Sequence, residues 1–123
     1  MDPRLLDLLS GTIASVWGVE LLLRMRQEPQ RNWTSDELVT ELRSSELVVD
    51  QSLERLERAG LIVRSSKAEA RFSPATDELA ALIDQLDEEY RLRPGSVRRA
   101  IVSPPDDKLR SFTDAFLLRR PPQ

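Results

Sequence analysis

The 123-residue chain contains no cysteine and no histidine. Without cysteine there is no disulfide, no thiolate nucleophile and no cysteine-ligated zinc. Without histidine the commonest general base near neutral pH is missing, as is the commonest metal ligand, and no Ser-His-Asp triad can be assembled. Glycine is scarce as well. Gly11, Gly18, Gly60 and Gly95 stand too far apart to form a phosphate-cradling loop. No pair of carboxylates stands out from a solvated helix face. The expectation is a non-enzymatic protein with no cofactor and no bound metal. No apolar run approaches the ~18 residues that a membrane span needs. Met1-Asp2-Pro3-Arg4 has no basic region leading into an apolar stretch. The expected location is the cytoplasm, with no membrane partner.

What is present fits one soluble globular domain, with 40% apolar and 32% charged residues. The net charge of −3 hides an asymmetry. Residues 1–90 carry 10 Lys/Arg and 18 Asp/Glu, a balance of −8, whereas residues 91–123 carry 8 and 3, a balance of +5. The chain is therefore expected to divide into a body with flanking helices, 1–93, and a basic C-terminal helical arm, 94–123. Opposite charges draw the arm to the body or to another acidic partner.

The helix signals fall in a regular order. Asp2-Pro3 is a start, with Asp2 as N-cap and Pro3 in the first helical position. Ser10-Gly11-Thr12 interrupts it, as a loop or a kink. A second start at Ser15 leads to Val16, Val19, Leu22 and Leu23 on one face, widened by Trp17 and Leu21, up to about Arg26. Trp17 and Trp33 read as core or cover residues. Gln27 to Trp33 reads as a loop. Thr34-Ser35-Asp36-Glu37 matches a capping box, and Leu38, Val39 and Leu42 follow on a short helix. Ser45 caps a third helix with a Val49-Leu53-Leu56 stripe, and Gly60 ends it in the left-handed region. Leu61-Ile62-Val63 and Arg71-Phe72-Ser73 read as two strands of a hairpin around a polar turn at residues 65–70. Thr76 caps a helix whose seam is Leu79, Ile83, Leu86 and Tyr90. That seam meets either the first helix of the same chain or a second subunit. A short helix is expected over Ser96–Ile101. After Ser103-Pro104-Pro105 comes an amphipathic segment with Leu109, Phe112 and Phe116 on one face.

The fold class expected is mainly α with a small β-hairpin. The stretch Thr34-Ser35-Asp36-Glu37-Leu38-Val39, followed by Val49-Asp50-Gln51-Ser52-Leu53-Glu54-Arg55-Leu56-Glu57-Arg58-Ala59-Gly60-Leu61-Ile62, resembles the winged helix-turn-helix of small bacterial transcription regulators. In texture it is closest to the multiple-antibiotic-resistance-regulator type. The resemblance covers about half the chain and leaves the arm unmatched. It implies a DNA-binding transcription regulator that acts as a homodimer on double-stranded DNA. The third helix would then lie in the major groove. Ser44, Ser45, Leu47, Val48, Asp50 and Gln51 would face bases or phosphates, Gln51 suiting adenine. Arg55 on the same helix and Arg64, Lys67 and Arg71 on the wing would meet the backbone.

The helix chemistry departs from that expectation. Glu46, Asp50, Glu54 and Glu57 make the third helix acidic, while affinity for DNA rests largely on cations that displace condensed counterions. Leu47 and Val48 put apolar groups on a face that should be wet, where a protein partner is the commoner reason. Glu54, Glu57, Arg55 and Arg58 are also what an ordinary solvated face carries, with helical ion pairs of about 0.3 kcal/mol each. The alternative reading is a winged-helix adaptor that binds protein and not DNA. Its contacts would run through the third helix or through Leu109, Phe112, Phe116, Arg119 and Arg120 of the arm.

Overall fold

A computed structural model of the chain describes residues 1–66 and 68–102. It is mainly helical with a small three-stranded antiparallel sheet. In chain order the elements are α1 (Pro3–Asp7), a π-helical turn (Leu8–Ile13), α2 (Val16–Arg26), β1 (Trp33–Thr34), α3 (Ser35–Leu42), α4 (Glu46–Arg58), β2 (Ile62–Ser66), β3 (Glu69–Phe72), α5 (Asp77–Leu92) and α6 (Pro94–Val102).

The expected caps are in place. The Asp2 carboxylate accepts from Arg4 N at 2.8 Å, and the Ser15 hydroxyl from Gly18 N at 2.9 Å. Thr34 and Glu37 form a reciprocal capping box, at 3.1 Å and 2.9 Å. Ser45 and Thr76 cap α4 and α5 through Val48 N and Leu79 N. Each oxygen satisfies an N–H that the first helical turn leaves without a partner.

Ser10-Gly11-Thr12 resolves as part of the π-helical turn, closed by Ala14 N donating to Leu9 O at 2.8 Å. Ala14 takes a left-handed φ of 56°, and the two helical stretches on either side are bent by 110°. At this corner Gly18 abuts the turn. A Cβ on Gly18 would sit 2.9 Å from Ile13 Cγ2 and 3.1 Å from Ser15 Oγ. Glycine permits that approach.

Strands β1 and β2 flank β3, with Trp33 opposite Ala70 and Ile62 opposite Phe72. Val63 pairs Arg71, but Ser66 pairs Glu69, so β2 carries one extra residue, a bulge. Two expectations change here. The hairpin strands run further than the β-branched residues suggested: β2 extends to Ser66 and β3 begins at Glu69, both within the stretch expected to be turn. A third strand forms at Trp33–Thr34, within the segment read as loop and cap. A two-residue strand has too few positions to show a period.

The core gathers Leu5, Leu9, Ile13, Leu22, Met25, Leu38, Val49, Leu53, Leu56, Leu61, Ile83 and Leu86, all essentially inaccessible. Helix α4 packs on α2, α3 and the π-helical turn. On α5, Ile83 and Leu86 are buried in this core and Leu79 is half-buried, and Tyr90 donates to a Glu20 carboxylate oxygen of α2 at 2.8 Å. Arg26 of α2 bridges to Asp84 at 2.5 Å and Asp87 at 3.2 Å, and Arg4 pairs with Glu78. Helix α6 packs on the π-helical turn and on α5, burying Val97 and Ala100 in the same core.

The two tryptophans part company. Trp33 is buried, whereas Trp17 is 42% exposed and so is not a core residue. It lies in the first turn of α2, on the side away from Val19 and Leu22.

Candidate functional site

Thirteen residues, Glu46–Arg58, make α4, and its apolar stripe decides which way the rest of the helix points. Val49, Ser52, Leu53 and Leu56 are buried. Helical geometry then turns Leu47, Asp50, Gln51, Glu54, Arg55, Glu57 and Arg58 outward, and all of them are exposed. Val48 lies at the boundary, half-buried. Leu47 is 66% exposed, well beyond what a side chain leaning on its neighbours would show.

The candidate residues fall into three groups. Ser44 is half-buried between α3 and α4, and Ser45 is held by its capping bond to Val48 N at 3.2 Å. Leu47, Asp50, Gln51 and Arg55 share the presented face. Arg64 on β2 and Arg71 on β3 are half-buried. Lys67 and the arm residues Leu109, Phe112, Phe116, Arg119 and Arg120 lie outside the described residues.

Two clefts show the electrostatics of this face. The first, of about 280 Å³, is lined by Thr34, Ser35 and Asp36 at the start of α3, Glu46 and Asp50 at the start of α4, and Ala68 in the hairpin turn. Asp36, Glu46 and Asp50 form no ion pair among the described residues. Carboxylates in first helical turns favour their own helices, which accounts for Asp36 and Glu46. It does not account for Asp50, a turn further on. The second cleft, of about 290 Å³, sets Arg64 of β2 together with Glu54, Glu57 and Ser66. Arg58 reaches Glu54 at 3.5 Å. Arg64, beside α4, and Arg58 on it thus sit among the carboxylates of α4.

Behind the face a polar layer fixes the loop before α3. The Arg31 guanidinium stacks 3.5 Å from the centre of the Trp33 ring, and Arg24 lies 4.8 Å from it. Arg24 also bridges to Glu41 at 2.8 Å and Glu28 at 2.9 Å, and Arg31 to Glu37 at 3.3 Å. The hydrogen bond to Glu41 raises the Arg24 pKa above its ordinary value, against the opposing effect of burial. The backbone hydrogen bond from Thr34, aided by Arg31, lowers that of Glu37. Sequence reading missed this layer and the cleft at Asp36, Glu46 and Asp50. The i,i+4 pair Arg24–Glu28 was visible as a spacing; Arg31 meets Trp33 and Glu37 through the irregular loop and β1, which have no period to read, and Arg24 meets Glu41 17 residues on.

Among the described residues no group of three or more Asp or Glu is arranged to hold a metal ion. No protein-family model, curated protein or solved structure matches the chain.

Proposed function

We propose that this chain is a winged-helix module whose third helix binds another protein. The observation that carries this reading is the presented face of α4: Leu47, 66% exposed, on the same helix as exposed Glu46, Asp50 and Glu54, with Asp36 of α3 sharing the cleft at Glu46 and Asp50. A phosphate backbone placed here meets carboxylates first. Without a surplus of cations, counterion release has little to act on. A polypeptide that offers an apolar side chain beside Lys or Arg fits the same face. Covering a leucine yields about 1.5–3 kcal/mol, and the flanking charges set approach and register. The winged-helix reading itself rests on the order helix, short helix, helix, hairpin, with the second and third helices capped at Thr34 and Ser45.

A DNA-binding transcription regulator is the second reading. It draws on exposed Gln51 and Arg55 of α4 and on Arg71 of the wing. A salt-series titration of the full chain with random duplex DNA separates the two. The adaptor reading expects no duplex binding even at low salt. Binding that weakens with salt along a slope of several phosphates, and that Arg55→Ala or Arg71→Ala reduces, overturns it in favour of the regulator.

A further inference from the structure

We propose that residues 103–123 of this chain dock on the presented face of α4 in the same molecule and mask it. The proposal rests on the reading of that face as a protein-binding surface and names its first occupant. Three observations carry it.

The body's negative charge is unevenly available. Glu20, Glu28, Glu37, Glu41, Asp84 and Asp87 are engaged by Tyr90, Arg24, Arg26 or Arg31. Asp36, Glu46 and Asp50 line one cleft and form no ion pair among the described residues; Asp7, Asp77 and Glu88 form none either, but only on α4, which carries Glu46 and Asp50, does a leucine as exposed as Leu47, at 66%, stand. The α4 face thus combines free negative charge with an uncovered large apolar side chain.

The tail has the complementary chemistry. Residues 103–123 hold Lys108, Arg110, Arg119 and Arg120 against Asp106, Asp107 and Asp114, a balance of +1, and the cations gather after the two leading aspartates, so that 108–120 alone carries four cations to one carboxylate. Interleaved with them are Leu109, Phe112, Phe116, Leu117 and Leu118, including two of the chain's three phenylalanines. An aromatic side chain flanked by cations is what a leucine flanked by carboxylates accepts.

The reach suffices. Helix α6 packs on the body and ends at Val102, which is 80% exposed. The ten residues from 103 to 112 can span up to about 33 Å, against a radius of gyration of about 13 Å for a domain of 100 residues. Attachment to the body keeps the segment at an effective concentration that a free partner must exceed.

The test uses the full chain, whose lack of cysteine lets one engineered thiol carry a label. A nitroxide on Ser111→Cys should broaden the amide signals of Asp36, Glu46, Leu47 and Asp50, each losing more than half its peak intensity. Signals of α6 and of the far side of α5 should keep theirs. Adding Phe112→Ser with Phe116→Ser should restore the lost intensity while the remaining amide spectrum is unchanged, which shows a folded body. Salt near ~1 M, where the Debye length is ~3 Å, should restore part of it. In a mixture of isotope-labelled chains without nitroxide and unlabelled chains with it, the α4 signals should stay sharp. Broadening in that mixture overturns docking within one molecule in favour of a second copy. Broadening on another face, or none, overturns the proposal outright. Because the experiment reads only the tail, it fails separately from the adaptor reading. A chain that binds duplex DNA yet shows the contact refutes the adaptor and leaves the contact standing.

Discussion

Leu53 and Leu47 lie on the same helix six residues apart, one inaccessible and the other 66% exposed. Replacing each by alanine asks whether α4 is seated in the rotational phase described. Alanine is slightly the better helix former, so neither substitution harms the helix intrinsically. Leu53→Ala removes a side chain from the centre of the core, where α4 meets α2 and α3. The lost transfer free energy and the cavity left behind together cost about 2–5 kcal/mol. Leu47→Ala removes a side chain that mostly meets water, and the expected change lies within about 0.5 kcal/mol. Urea denaturation followed by circular dichroism measures both. With a slope of about 1–3 kcal/mol per molar for a small protein, a 3 kcal/mol loss lowers the midpoint by roughly 1–3 M. The Leu47 variant should unfold with its parent. A Leu53→Ala loss below about 0.5 kcal/mol would put the helix in the wrong phase. A Leu47→Ala loss of the size of a core deletion would show Leu47 to be packed, and the protein-binding face would lose its centre.

Gly18→Ala brings a Cβ to 2.9 Å from Ile13 Cγ2, a clash of about 1–3 kcal/mol that outweighs the roughly 1 kcal/mol alanine gains in a helix, so the midpoint of thermal or chemical unfolding should fall; a raised midpoint would mean that the corner yields freely. The lowered pKa of Glu37 stabilises the fold above the ordinary carboxylate range, and that contribution fades as pH falls through the folded-state value. Glu37→Gln keeps an acceptor for Thr34 N, so its melting temperature should lie below the parent's near pH 7 and converge with it near pH 3; a gap independent of pH would refute the assignment. Tyr90→Phe removes the bond to Glu20 and should cost about 1–2 kcal/mol, less if water replaces the partner. The Tyr90 pKa lies above its ordinary value, chiefly through burial and then through Glu20, so the parent should lose stability relative to this variant only as pH rises past the tyrosine range.

The sequence by itself determined the helices, because their signals are local. A hydroxyl or carboxylate before a helix meets an N–H two or three residues away, and an apolar stripe repeats within a single element. Asp2, Ser15, Thr34, Ser45 and Thr76 were therefore readable as caps, and Val49, Leu53 and Leu56 as the buried side of α4. The outward direction of Leu47, Asp50 and Gln51 follows from the same period. Tertiary structure decided what depends on chain segments meeting across distance. Trp33 joins a strand because Ala70 lies opposite it, 37 residues on. Gly18 matters because the π-helical turn folds back onto it, and Trp17 stays outside because α2 turns its other side to the core. Which elements meet α5 was likewise decided by packing: α6 and α1 of its own chain lie against it, and α2 reaches it through Glu20 and Arg26. The character of the candidate site was decided the same way. Asp36, Glu46 and Asp50 come from two helices, and only the packing of α3 beside α4 brings their charges to one cleft, with Leu47 left uncovered on the same helix.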